Sequence, residues 1–187
     1  MKQAMAALLF CVLFVLGNQL RATTLPDACG NDKVQFDVKT TKKQPPPAPP
    51  EAGKAQIVLI EALDKNLACW SCGTPTSRFG MDGAWVGATQ GNSYFALDVA
   101  PGEHHLCVDW QSAFGSLKKM VGMADFDAEA GKTYYFEAQV KLKEHSYGTG
   151  PDSSSEVDRH LTFEQVSVDE GKYRVKASSL AAATARK

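Results

Sequence analysis

Charge of one sign is what this chain has least of. Lys and Arg number 20 against 21 Asp and Glu, a formal net charge of −1 over 187 residues. Nucleic acid binding calls for a basic stripe, and attachment to a membrane surface calls for a basic amphipathic helix; the sequence shows neither, which excludes both partner classes. It also lacks the zincin HExxH, a phosphate-cradling Gly-rich loop and any Ser/His/Asp arrangement. No enzyme activity, catalytic residue, metal or cofactor is therefore expected. The apolar run from Ala4 to Gly17 falls short of the roughly 20 residues that a stable membrane span needs.

That run is instead the centre of an export signal, with a basic start at Lys2 and a polar exit from Asn18 to Ala22. Cleavage is expected after Ala22, which places the mature chain in a secreted or periplasmic setting. No lipid-attachment Cys follows this point. Loss of residues 1–22 takes Lys2 and Arg21 with it and no acid, so the net charge moves to −3. The remaining 165 residues suit one domain with a full core.

The chain divides by composition into a signal (1–22), a leader segment with one strand (23–43), a Pro-rich linker (44–52), a β domain (53–178) and a disordered tail (179–187). In the leader, Lys33 to Lys39 alternates with Val34, Phe36 and Val38 on one side, the period of a half-buried strand. QPPPAPP from Gln44 to Pro50 favours polyproline II and acts as a semi-rigid spacer. Beyond it come short β-type runs separated by turns: Ala55 to Leu63, apolar enough to be covered on both faces; an Asp82-Gly83 hairpin within Phe79 to Gly87; Ser93 to Val99; Glu103 to Trp110; Met123 to Phe126; Thr133 to Leu142; and His160 to Val168. A polar loop is expected from Ser146 to Glu156, and Val168 to Ala177 alone has helix-like content, weakened by Gly171. The fold class is all-β, an antiparallel sandwich of about 7–8 strands with a short C-terminal helix or turn.

The order MDGAWVGATQGNSYFALDVAPGEHHLCV, AEAGKTYYFEAQV, VDEGKYRV resembles the bacterial envelope family known as domain of unknown function 2846, over roughly Gly53 to Lys176. The resemblance implies an immunoglobulin- or transthyretin-like sandwich outside the cytoplasm. It supplies no catalytic residue.

Chemistry is concentrated in the cysteines. Cys29, Cys69, Cys72 and Cys107 remain after signal removal, and an even count in an exported chain favours disulfides. Four cysteines admit three pairings, and the sequence does not choose among them. A Cys72–Cys107 bridge would pin the loop after the first core strand, with Cys29–Cys69 tying down the leader. The alternative is a thiol-redox or zinc site using the CWSC loop (Cys69 to Cys72) and Cys107. Against it, Gly73-Thr74-Pro75-Thr76 is poor material for the helix that a redox CxxC needs, and a second CxxC is missing.

His104 and His105 are strand neighbours that face opposite ways and do not chelate together. Alternation sends His104, Leu106, Val108 and Trp110 to the core side and His105, Cys107 and Asp109 to the other, with His104 a satisfied structural histidine. His145 and His160 have no evident partners. Ser116 to Lys119 matches SxxK without its companion motifs, and Asp125, Asp127 and Glu129 form a solvated strand face. Among the aromatics, Trp110 and Tyr94 or Phe95 belong to the core. Trp70 and Trp85 are the candidates for a surface that meets an envelope protein or a glycan. The expected function is a non-catalytic exported module with such a partner or a structural role.

Overall fold

Alternation of side chains across a strand decides which face each residue serves, and here it sorts the apolar residues into two layers. The computed structural model describes residues 25–63, 74–112, 120–147 and 154–186. Among them lie ten strands: β1 (Phe36–Thr41), β2 (Ala55–Ala62), β3 (Thr76–Met81), β4 (Ala84–Gln90), β5 (Ser93–Val99), β6 (Gly102–Ser112), β7 (Val121–Ala128), β8 (Thr133–Tyr147), β9 (Ser154–Val166) and β10 (Ser179–Ala185), with helix α1 (Val168–Ala177) before the last. One sheet runs β1-β10-β5-β2-β8-β9 and the other β4-β3-β6-β7. The all-β sandwich with a C-terminal helix is thus as the sequence reads. Two of the pairings, β2 with β8 and β10 with β5, are parallel, because the chain leaves one sheet, or passes through α1, before returning beside an earlier strand.

β2 explains its own apolar run. Ile57 and Leu59 face the other sheet, where they join Phe79, Leu106, Val108, Phe136 and Phe163, while Val58 and Ile60 face outward into a second cluster with Tyr94, Tyr135 and Val175 of α1. Across the inter-sheet space Phe95, Phe79, Phe163, Phe136 and Phe126 form a chain of ring contacts with centroids 5.1 to 5.9 Å apart. Each such pair adds about 0.5–1.5 kcal/mol beyond its buried area. The hairpin tip has the positive φ values of a type I′ turn, 52° at Asp82 and 86° at Gly83.

Three boundaries change. Residues 179–185 are not a disordered tail but β10, wedged between β1 and β5; SLAAATA has small side chains that fit this position, and composition hides a strand whose partners come from the leader. The leader strand is docked, and begins at Phe36, with Phe36↔Ala185 and Thr41↔Leu180 as the ends of its register with β10. The polar stretch expected as a loop is largely strand: β8 and β9 continue to Tyr147 and Ser154, with Ser146 opposite Ser155. Ladder hydrogen bonds come from the backbone, so polar residues are no obstacle to this pairing. Helix α1 matches its sequence limits and is capped by Ser167, whose side-chain oxygen accepts from the Glu170 N–H at 3.2 Å.

Candidate functional site

β6 sets the outer face of the four-stranded sheet: His105, Cys107, Asp109 and Gln111 point away from the core, and the leader crosses over the last three. Cys107 is fully buried and forms a disulfide with Cys29, with Cα atoms 5.2 Å apart. Neither a Cys72–Cys107 nor a Cys29–Cys69 pairing holds, since the segment lying on β6 at this height is the leader. A redox or zinc site built on Cys107 would first have to break this bridge. Cys69, Cys72 and Trp70 lie outside the described residues, as do Ser116 to Lys119.

Around the bridge the leader is held by polar contacts that exclude water. Arg78 of β3 and Asp109 of β6 form an ion pair at 2.7 Å with both side chains only 7% exposed. The other arm of the guanidinium donates to the carbonyls of Asp32 (2.8 Å) and Val34 (2.6 Å). Its plane lies over the Trp85 ring, 4.3 Å from the centroid, a cation–π contact that suits Arg better than Lys. Trp85 donates from its indole N–H to the Asn31 carbonyl at 2.7 Å, and Gly30 lies so close that a Cβ there would overlap the ring. Trp85 is therefore not a free partner surface: its ring is half-buried and committed to the leader. The Gln111 side chain exchanges hydrogen bonds with the backbone N–H and carbonyl of Phe36. We refer to this set as the leader clasp.

Beside the clasp opens a cleft of about 520 Å³, lined by Pro26, Asp27, Asp82, His105, Met123 and Asp125 among others. Of its lining residues, Asp82 pairs with His104, and His105 pairs with Asp125. His104 Nδ1 lies 2.7 Å from the Asp82 carboxylate and its Nε2 lies 2.8 Å from the Ala100 carbonyl. Both partners are acceptors, an arrangement that favours the doubly protonated, cationic ring. Burial alone would lower its pKa, but the Ala100 carbonyl and Asp82 outweigh that and hold it above the usual histidine value. Partial burial would raise Asp82, yet the His105 backbone N–H and the His104 ring bring it below its usual value. His105 points the other way, exposed, and pairs with Asp125 at 2.9 Å, which raises its pKa. The structural role expected for His104 is thus met, with the ring also packed on Phe126 at 5.5 Å. Met123 stands at the lip of the cleft, 60% exposed.

A buried carboxyl lies inside the sandwich. Glu61 closes β2 on its core side and is 2% exposed; Thr89 donates to one carboxyl oxygen at 2.6 Å, and the other is buried without a hydrogen bond. Burial pushes its pKa up to about 8, against the opposing contribution of the Thr89 and Ser77 hydroxyls. At neutral pH the group is mainly a neutral acid.

The remaining sequence candidates fall apart in space. Asp125 and Asp127 are exposed along β7, Glu129 pairs with Lys132, and His160 is exposed on β9. Trp110 and Tyr94 are buried, as expected. No group of three His, Cys, Asp or Glu side chains able to hold a metal occurs among the described residues. Sequence reasoning missed Arg78 and Asp109; the usable signal was their shared parity with Cys107 on the outward face of adjacent strands.

Two stacked sheets, a C-terminal helix on one outer face and a disulfide-tied leader on the other define an all-β sandwich. The chain belongs to the family described as "Protein of unknown function (DUF2846)", whose profile matches residues 51–151. The match spans β2 to β8, so the clasp ties a leader outside the matched residues to a strand within them. No curated protein and no solved structure matches the chain.

Proposed function

We propose that this chain is a non-catalytic, exported module of the bacterial cell envelope that presents the cleft beside its leader clasp to a protein or glycan partner. The observation that carries this reading is the Cys29–Cys107 disulfide, since such bonds form and persist in oxidising compartments. It agrees with the signal-like first 22 residues. Among the described residues no helix is long and apolar enough to cross a membrane. Binding rather than catalysis is supported by the ion pairs that occupy Asp82, His105 and Asp125 of the cleft, and by an exposed Met123 at its lip.

The test is photo-crosslinking in cells that carry the full chain. A photoreactive residue at Met123 should give a discrete adduct in the envelope fraction, on a chain whose mass fits cleavage after Ala22. The same residue at Tyr173, exposed on α1, should not give that adduct. Protease or glycosidase sensitivity of the adduct assigns the partner class. A chain found in the cytoplasm with free thiols, or equal adducts from both positions, would overturn the proposal.

A further inference from the structure

The opposite outer face, that of the six-stranded sheet, carries a second concavity. There the Pro-rich segment is held as a strap: the Gln56 side-chain amide donates to the Ala48 carbonyl at 2.9 Å, and the Glu51 N–H donates to the Asp98 carboxylate at 3.1 Å. Helix α1 rests on the same face, with Gly171 seated on the Tyr135 ring and Val175 in the outer cluster. Between strap and helix is a groove of about 620 Å³ with Tyr135 and Val175 among its apolar lining, Pro46 and Pro47 on the strap side, and Lys43, Lys172 and Lys176 around it. This is the size and make-up of a small-molecule site.

Two features separate the groove from an ordinary lysine-bearing surface. Among the described residues none of the three ammoniums has a carboxylate partner, whereas Arg174 on the same helix is spent on Glu137 and Glu170. Lys43 also holds a left-handed backbone, φ 57°, which a non-glycine residue adopts only at a cost in free energy. Glycine or asparagine would fit that position more easily; what lysine alone adds is a cation at the groove. Lys176, by contrast, has a sufficient local reason to be basic, in the last turn of α1.

We propose that the groove binds a single-chain amphiphile with an anionic head. The hydrocarbon body lies against Tyr135, Val175 and the proline rings, and the carboxylate sits among the three ammoniums. Pro46 and Pro47 have no N–H to donate, so their stretch of the strap wall suits a hydrocarbon better than a glycan or a peptide backbone, each of which needs hydrogen-bond partners along its length; Gln44, next to Lys43 in the chain, is an uncharged polar side chain of the lining. The site stands on the face opposite the cleft and holds whether or not the cleft has a partner.

The test is a fluorescence titration of the full chain with the fatty-acid probe dansylaminoundecanoate. Saturable binding with a blue-shifted emission is expected, at least about tenfold tighter than for the methyl ester of the same probe, in keeping with one or two charge-assisted contacts. Lys172→Ala and Lys43→Gly should each weaken binding up to about fivefold, and added salt should reduce the preference for the acid. Lys43→Gly is the decisive variant. Relief of the backbone should leave its melting temperature equal or higher, so lost affinity cannot come from unfolding. Equal affinity for acid and ester, unchanged affinity in Lys43→Gly, or displacement of the probe by inorganic phosphate or tetraglutamate as readily as by palmitate would overturn the proposal.

Discussion

Replacing Glu61 with Gln should make the protein more stable at neutral pH, although it alters one of its most buried side chains. The glutamate titrates at about 8 in the folded chain against an ordinary value of 4.5. The folded state therefore binds the proton more tightly than the unfolded state. Stability from this group is complete below pH 4.5 and is lost progressively as pH rises through 8. At pH 7 the unfolded carboxyl is 2.5 pH units above its own value, which at about 1.4 kcal/mol per unit costs the native state roughly 3 kcal/mol. Glutamine has the shape of the neutral acid, can still accept from Thr89, and does not titrate. Urea or thermal unfolding of the two proteins should coincide near pH 4 and diverge by pH 7. For a domain of this size the divergence is about 6–12 °C in melting temperature. Every other titrating group is common to both proteins, so the difference isolates position 61. Parallel pH profiles, or a variant less stable than the parent at pH 7, would be incompatible with a neutral acid at position 61.

Three further outcomes test the packing and the charge pairs. In an exposed helix Gly→Ala gains about 1 kcal/mol, but at Gly171 the added methyl would overlap the Tyr135 ring, so Gly171→Ala should lose about 1–3 kcal/mol by overpacking, read by urea unfolding. Arg78→Met should cost about 3–5 kcal/mol, because Asp109 would stay buried without its partner; proteolysis should then cut the leader before the sandwich unfolds. His104 lies above its usual 6.5 and Asp82 below its usual 3.8. Their mutual stabilisation is thus complete between those ordinary values, fades as pH rises through the folded histidine value, and fades as pH falls through the folded aspartate value. NMR titration of His104 in Asp82→Asn, which retains a residue tolerant of the left-handed turn, should show its pKa lowered.

How much of this was legible in the sequence depends on the range of the interaction. Period and turn chemistry are local, and they placed β2, the Asp82-Gly83 hairpin, β5 and α1 nearly to the residue. β10 failed because SLAAATA carries no strong strand signal and owes its conformation to β1, about 140 residues earlier in the sequence. The outward direction of Cys107 followed from alternation alone. Its partner did not, because Cys29 reaches it through a leader whose course over the sheet depends on Arg78, Trp85 and the bare backbone at Gly30 and Gly80. The leader clasp also explains why Trp85 misled: an aromatic residue next to a hairpin tip looks exposed until a segment from elsewhere covers it. The lysines of the groove could not be grouped from sequence, since Lys43 and Lys172 line one groove only once the strap and α1 share a face.

On the proposed function, an oxidising compartment joins the leader to the sandwich through Cys29 and Cys107. The direct measurement is peptide mapping of the protein recovered from the cell envelope, with thiols alkylated before any reduction. The expected result is a cross-linked pair of peptides containing Cys29 and Cys107, released only by reductant. Alkylated Cys29 and Cys107, or either residue joined to Cys69 or Cys72, would contradict it.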